Sequence, residues 1–156
     1  MKAKEPLNIM TAKATLTALA LATVLTLSAC AMPQGSGAPS SLYQALGAQQ
    51  GIEQIADNFI MEIAYDPRVF DRFADSNVER FREKIIEHFC FIADGPCEYT
   101  GDSMVLTHRG MDINSAEFNA VVEDLIDAMD KAGTPVSAQN RLLERLAALR
   151  PEIMGI

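Results

Sequence analysis

Residues 114–133 read NSAEFNAVVEDLIDAMDKAG, with apolar side chains at Phe118, Val121, Val122, Leu125, Ile126 and Met129. Steps of three and four place them on one stripe of a helix. Asn114 and Glu117 have the spacing of a capping box ahead of that stripe, and Gly133 suits the helix end. Working outward, Thr134-Pro135 suits the start of a last helix with Pro at its first position, striped by Leu142, Leu143, Leu146 and Leu149 before Pro151. Upstream, Ile52, Ile55, Ala56, Phe59, Ile60 and Ile63 form another stripe that Asp66-Pro67 stops. Ser76 with Glu79 predicts a capped helix carrying Val78, Phe81, Ile85, His88, Phe89 and Ile92 on one face, ended by Asp94-Gly95-Pro96. Ser41 with Gln44 starts a short helix at the front.

No stretch alternates with period two and no internal repeat is present, so the reading is all-α, five or so helices around one core. The 156 residues, 49% hydrophobic and 22% charged, exclude collagen, coiled-coil rods and wholesale disorder. Against 21 Asp and Glu there are 13 Lys and Arg, a formal charge of -8 with no basic stripe, which argues against nucleic acid as a partner.

The first forty residues follow another pattern. Lys2, Lys4 and Lys13 precede an uncharged run at residues 14–29 that closes on Leu27-Ser28-Ala29-Cys30. A basic start, apolar middle and small-residue end predict a signal peptide over residues 1–29. The run is shorter than the roughly 20 residues of a spanning helix, so a retained transmembrane segment is the second reading. Leu-Ser-Ala-Cys also resembles the bacterial lipobox, which implies that Cys30 is lipidated and begins a mature chain anchored in the cell envelope and facing the periplasm. Several acyl chains hold such an anchor stably where one does not. In that pattern an Asp after the Cys favours the inner membrane; Ala31 stands there, so the outer membrane is preferred. Residues 31–40, AMPQGSGAPS, cannot bury apolar surface and read with Cys30 as a tether, which places the folded domain at 41–156. Losing Lys2, Lys4, Lys13 and Glu5 takes the charge from -8 to -10.

With Cys30 lipidated, Cys90 and Cys97 remain in a compartment where disulfides persist. They read either as a bridge or as a buried thiol beside an unrelated one. Two thiols and two His make a zinc site a poor reading.

No Gly-rich phosphate loop, Gly-x-Ser-x-Gly elbow, His-Glu-x-x-His or Cys-x-x-Cys occurs, so ordinary hydrolase and nucleotide readings lapse. Glu62, Asp66, Asp71 and Asp75 read as solvated surface. Between Cys97 and Met111 lies a long segment without a periodic stripe, and it holds His108. Alone, a histidine in a loop reads as surface. Projecting from a loop among faces rich in Phe, Ile and Met, the same imidazole suits an iron porphyrin.

Tyr43-Gln44-Ala45-Leu46-Gly47, the helix holding Phe59, the Phe70 to Phe73 turn, Asp94-Gly95-Pro96, Tyr99-Thr100-Gly101, Met104, His108 and Phe118 stand in an order and spacing that resembles the group I truncated haemoglobins over about residues 41–150. The resemblance implies a two-over-two helical sandwich, a shortened globin in which the helix of the proximal His is mostly extended loop. It implies haem b as cofactor, with His108 as the iron ligand and Phe73 wedged against the porphyrin. Phe59, Met104, Phe118 and Val121 match apolar pocket positions, and Arg82 matches a basic residue that pairs with a haem propionate. Without His108 and its loop, the apolar set would read as ordinary core.

On the distal side many family members carry a Tyr and a Gln; this chain has Ile60 and Ile85 there, and a further gate position is Phe81. A hydrogen bond to partly charged dioxygen is worth on the order of 1.5 to 3 kcal/mol, roughly ten- to a hundredfold in residence. The apolar set therefore implies fast dioxygen release and a preference for carbon monoxide and nitric oxide. His88 stands where the family usually has a Phe. It has three readings: a propionate partner, a pocket wall, or a sixth iron ligand.

The resulting expectation is a haem-binding, envelope-anchored globin for dioxygen, carbon monoxide and nitric oxide. Nitric oxide removal would need an external electron donor, since no flavin or nicotinamide motif exists in the chain. Three rival readings remain: a gas or redox sensor with a membrane partner, an electron-transfer protein with a six-coordinate haem, and a haem-free structural lipoprotein.

Overall fold

The computed structural model describes residues 40–156, so the signal segment, Cys30 and nearly all of the tether lie outside the described residues. The helices are α1 (Leu42–Ala45), α2 (Ala48–Tyr65), α3 (Phe70–Phe73), α4 (Val78–Ile92), α5 (Met104–His108), α6 (Ser115–Lys131) and α7 (Val136–Ala147). A 3-10 turn, Arg150–Glu152, follows, and no strand occurs among the described residues.

Local signals account for most of these limits. Ser41 Oγ accepts from the Gln44 amide at 3.2 Å and starts α1. Asn114 Oδ1 accepts from the Ala116 and Glu117 amides while Glu117 Oε2 accepts from the Asn114 amide, so the capping box of α6 is complete. Asp66, before Pro67, turns extended and ends α2. Three expectations need correcting. The cap of α4 is Asn77 rather than Ser76, because its side chain reaches the Arg80 amide at 2.7 Å. Pro135 precedes the first turn of α7 instead of opening it. Within the stretch read as loop, α5 forms a single turn capped by Ser103, too short to produce a periodic stripe.

The four long helices make two layers, α2 with α4 over α6 with α7. α2 packs mainly on α6 and α4, and α4 also meets α7. Ile52, Ile55, Ala56, Phe59 and Ile63 of α2 face Ala120, Leu125, Ala128 and Met129 of α6, all buried. Burying each large aliphatic contributes roughly 1.5 to 3 kcal/mol. Ala56, Ala120 and Ala128 allow close approach of the two helices, and Asn58 Nδ2 donates across the seam to the Ala128 carbonyl at 3.1 Å.

Past α4 the chain is tied back. Cys90 and Cys97 form a disulfide with Cα atoms 6.2 Å apart, which resolves the two readings of the pair in favour of the bridge. Gly95 sits in the bridged loop with room for no side chain: a Cβ there would lie 2.6 Å from both Cys90 Sγ and the Tyr43 ring.

Candidate functional site

α5 brings His108 to the seam between the layers. Its Nδ1–H donates to the Met104 carbonyl one turn back, at 2.8 Å. A carbonyl can only accept, so this bond places a proton on Nδ1, and in the neutral imidazole the lone pair is then on Nε2. An imidazole in that tautomer is prepared to ligate a metal through Nε2.

Two cavities open on His108. One, of about 360 Å³, is lined by Phe59, Ile85, His88, Met104 and Leu146 among others. The second, of about 340 Å³, is bounded by Arg72, Ser76, Met111 and Glu117. They share His108, Phe73, Phe81, Phe118, Val121, Val122 and Ile153, so they are two lobes of one cleft. Phe73 and Phe81, ring centroids 5.3 Å apart, also wall a third, smaller cavity of about 130 Å³ that contains Ile60.

The expected residues divide accordingly. Phe59, Phe73, Phe81, Ile85, His88, Met104, Phe118 and Val121 converge on the cleft with His108. Ile60 lies behind Phe73 and Phe81 in the smaller cavity. Arg82 lines none of these spaces; its guanidinium is engaged by Asp57 of α2, whose carboxyl it holds below the ordinary range. The guanidinium that borders the cleft belongs to Arg72. It donates through Nε and Nη2 to Glu117 and through Nη1 to the Met111 carbonyl. Sequence reading passed over Arg72, although it lies between the two Phe residues of the α3 motif. It also passed over Ile153, which lies beyond the last stripe and past Pro151.

His88 lines the cleft with its ring 5.1 Å from that of Tyr99. Burial, and then the proximity of His108, pushes the His88 imidazole below its ordinary value and favours the neutral form. Tyr99 is itself anchored, its hydroxyl donating to the Asp102 carbonyl at 2.8 Å. The same segment is fastened to α4 by Glu87, which accepts from the Thr100 amide and from Lys84. Together these lower its carboxyl to about 2. Thus α4 holds the strand of chain that leads into α5.

No Tyr or Gln lines either lobe of the cleft among the described residues. The arrangement would suit a flat apolar group held by one imidazole: aromatic and aliphatic walls, the His108 ring among them, and polar groups gathered at the Arg72 end. Among the described residues no group of three or more His, Cys, Asp or Glu could hold a metal ion by itself.

A family model described as bacterial-like globin matches residues 41–154. The group 1 truncated haemoglobin of Mycolicibacterium paratuberculosis is 32% identical over 115 residues, covering 74% of this chain and 85% of that protein. Its counterpart in Nostoc commune is 28% identical over 116 residues, covering 74% of this chain and 98% of that protein. The Fe(III) form of truncated haemoglobin from Tetrahymena pyriformis superposes with a TM-score of 0.72 at 20% identity, over 75% of this chain and all (100%) of that one.

Proposed function

This chain belongs to the bacterial-like globin family, and from that membership we propose that it binds haem b through His108 and takes diatomic gases in the same largely apolar cleft, at the cell envelope. The observation that carries the reading is the Nδ1–H bond from His108 to Met104, which leaves Nε2 as the free ring nitrogen in a cleft walled by Phe73, Phe81 and Phe118. Haem, when bound there, supplies an iron that accepts a small gas. The residues do the rest. His108 would hold the group, the Phe73 and Phe81 rings would exclude water from it, and Arg72 places a cation at one end of the cleft.

Ligand choice follows from what the wall lacks. Phe59, Phe81 and Ile85 offer no donor, so a polar ligand gains no hydrogen bond from these three side chains, while carbon monoxide and nitric oxide need none. Dioxygen release is accordingly fast. Any reaction that consumes nitric oxide draws its electrons from an external donor.

The envelope location rests on the basic start, the apolar run and Leu27-Ser28-Ala29-Cys30. A disulfide between Cys90 and Cys97 supports an oxidising compartment. Replacing Cys30 by Ser should release the protein from the membrane fraction and abolish metabolic fatty-acid labelling; continued membrane retention without labelling would favour a retained apolar helix.

The deciding experiment is the absorption spectrum of the full chain, purified in detergent and reconstituted with haem, in ferric, ferrous and carbon-monoxide states beside His108→Ala. A Soret band and carbon-monoxide adduct that weaken in the variant are expected. A wild type that holds no haem would leave a globin-shaped protein working through its surface.

A further inference from the structure

α5 is a single turn of five residues, none of them buried, and Val105 and Leu106 project into solvent. One turn cannot hold itself helical in water, because nucleation costs more than a few hydrogen bonds return. The rigidity of His108 therefore comes from outside its own element. The C-terminal segment supplies it at three places. Directly after His108, the Gly110 amide donates to the Ile156 carbonyl at 2.9 Å, while the Met111 amide donates to the His108 carbonyl at 3.1 Å. Gly110 makes this turn at φ +77°, a conformation that only glycine takes without strain. Inside the cleft, Ile153 lines both lobes beside His108. At the start of α6, the Arg150 guanidinium lies 5.4 Å from the Phe118 ring centre and donates to Ser115 Oγ at 3.4 Å. Its Nε donates to Met154 Sδ at 3.0 Å. The 3-10 turn that begins this segment also packs directly on α5.

We propose that residues 150–156 are a clasp that positions the imidazole of His108, with Ile153 as its positioning side chain and the Gly110–Ile156 main-chain bond as its latch. The clasp rests on the reading of His108 as the iron ligand. It acts by fixing how far α5 rotates and how close it approaches the cleft, so the bond to iron and the retention of haem both depend on a segment that makes no bond to the metal. Because its two ends touch the α5 turn and α6, displacement of residues 150–156 by a partner would be felt at His108.

The test compares three forms of the haem-loaded full chain in detergent: wild type, Ile153→Ala, and a chain ending at Glu152. Resonance Raman spectra of the ferrous forms give the iron–histidine stretch, and transfer to excess apomyoglobin gives the rate of haem loss. Hydrogen exchange at the Gly110 amide in the haem-free chain gives a reading independent of iron. The expected result is a shifted or broadened stretch in both variants and haem loss faster by on the order of tenfold, the factor for removing one half-buried aliphatic wall. Faster Gly110 exchange is expected in the truncated chain alone. Ile153→Ala keeps the latch and so remains informative where truncation unfolds the domain. An unchanged stretch and unchanged haem loss in Ile153→Ala overturn the clasp. Absence in the wild type of a stretch that His108→Ala abolishes overturns the ligand reading and the clasp with it.

Discussion

Asp124 of α6 meets Asp66 at the end of α2 carboxyl to carboxyl, and Asp124 Oδ2 is buried with no donor reaching it. Burial, and then the Asp66 charge, push Asp124 up to about 6, while Arg68 holds Asp66 below the usual range. A proton on Asp124 turns this repulsion into a hydrogen bond between the helices. The surrounding charges are already matched: Arg68 pairs with Asp66 and Glu123, and Lys131 pairs with Glu62.

The sign of the pH dependence follows. Asp124 binds its proton more tightly folded than unfolded, so its contribution to stability grows as pH falls from 7 through about 6 and is complete below about 4. Asp57, Asp66, Glu87 and Glu117, all lowered in the fold, lose their contributions only at more acid pH. His88 opposes Asp124: being held neutral, it costs stability as pH drops below 6.5. Asp124→Asn isolates the carboxyl. At pH 7 the variant should melt higher than wild type, on the order of a few degrees, with the gap narrowing as pH falls through about 6 and closing only below about 4. A gap independent of pH between 7 and 5 would exclude a raised carboxyl at this position.

The ligand side can be made polar. Ile85→Gln places an amide donor in the larger lobe of the cleft. Dioxygen dissociation, followed by stopped flow, should slow by about tenfold or more, in line with one hydrogen bond to a partly charged acceptor. Carbon monoxide dissociation should change far less. Equal slowing of both would mean that the substitution acts by closing the cleft.

The Cys90–Cys97 bond closes a short loop between α4 and the segment that leads to His108. Cys97→Ser should cost about 2.5 kcal/mol in urea unfolding, from the entropy restored to the unfolded chain. Wild type treated with reductant should match the variant. No difference between oxidised and reduced wild type would refute the contribution.

His88 offers a spectroscopic check. Its ring lies tilted against that of Tyr99, which is tied to Asp102, so the expected role is a wall and not a sixth ligand. His88→Ala should leave the ferric and ferrous coordination state as in wild type while lowering the melting temperature. Conversion by the variant of a six-coordinate low-spin spectrum into a five-coordinate one would establish ligation instead.

The helices were legible because their causes are local. The Asn114 and Glu117 box, the Asp66-Pro67 stop and the three- and four-residue steps of α2 and α6 each act within a turn or two, and so survive as patterns along the chain. His108 and most of the apolar wall were legible through joint spacing in a family resemblance, not through any one motif. What required the folded chain was every relation set by how helices cross. Arg72 reaches Glu117 from 45 residues away, Ile153 closes on His108 from the far end, and Asp124, polar in a stripe of apolar neighbours, is buried only because α2 lies against it. Periodicity says which face of a helix turns inward. The partner it meets there, and so the protonation of Asp124 and the seating of His108, depend on the packing of the two layers, because such contacts join residues that no local pattern connects.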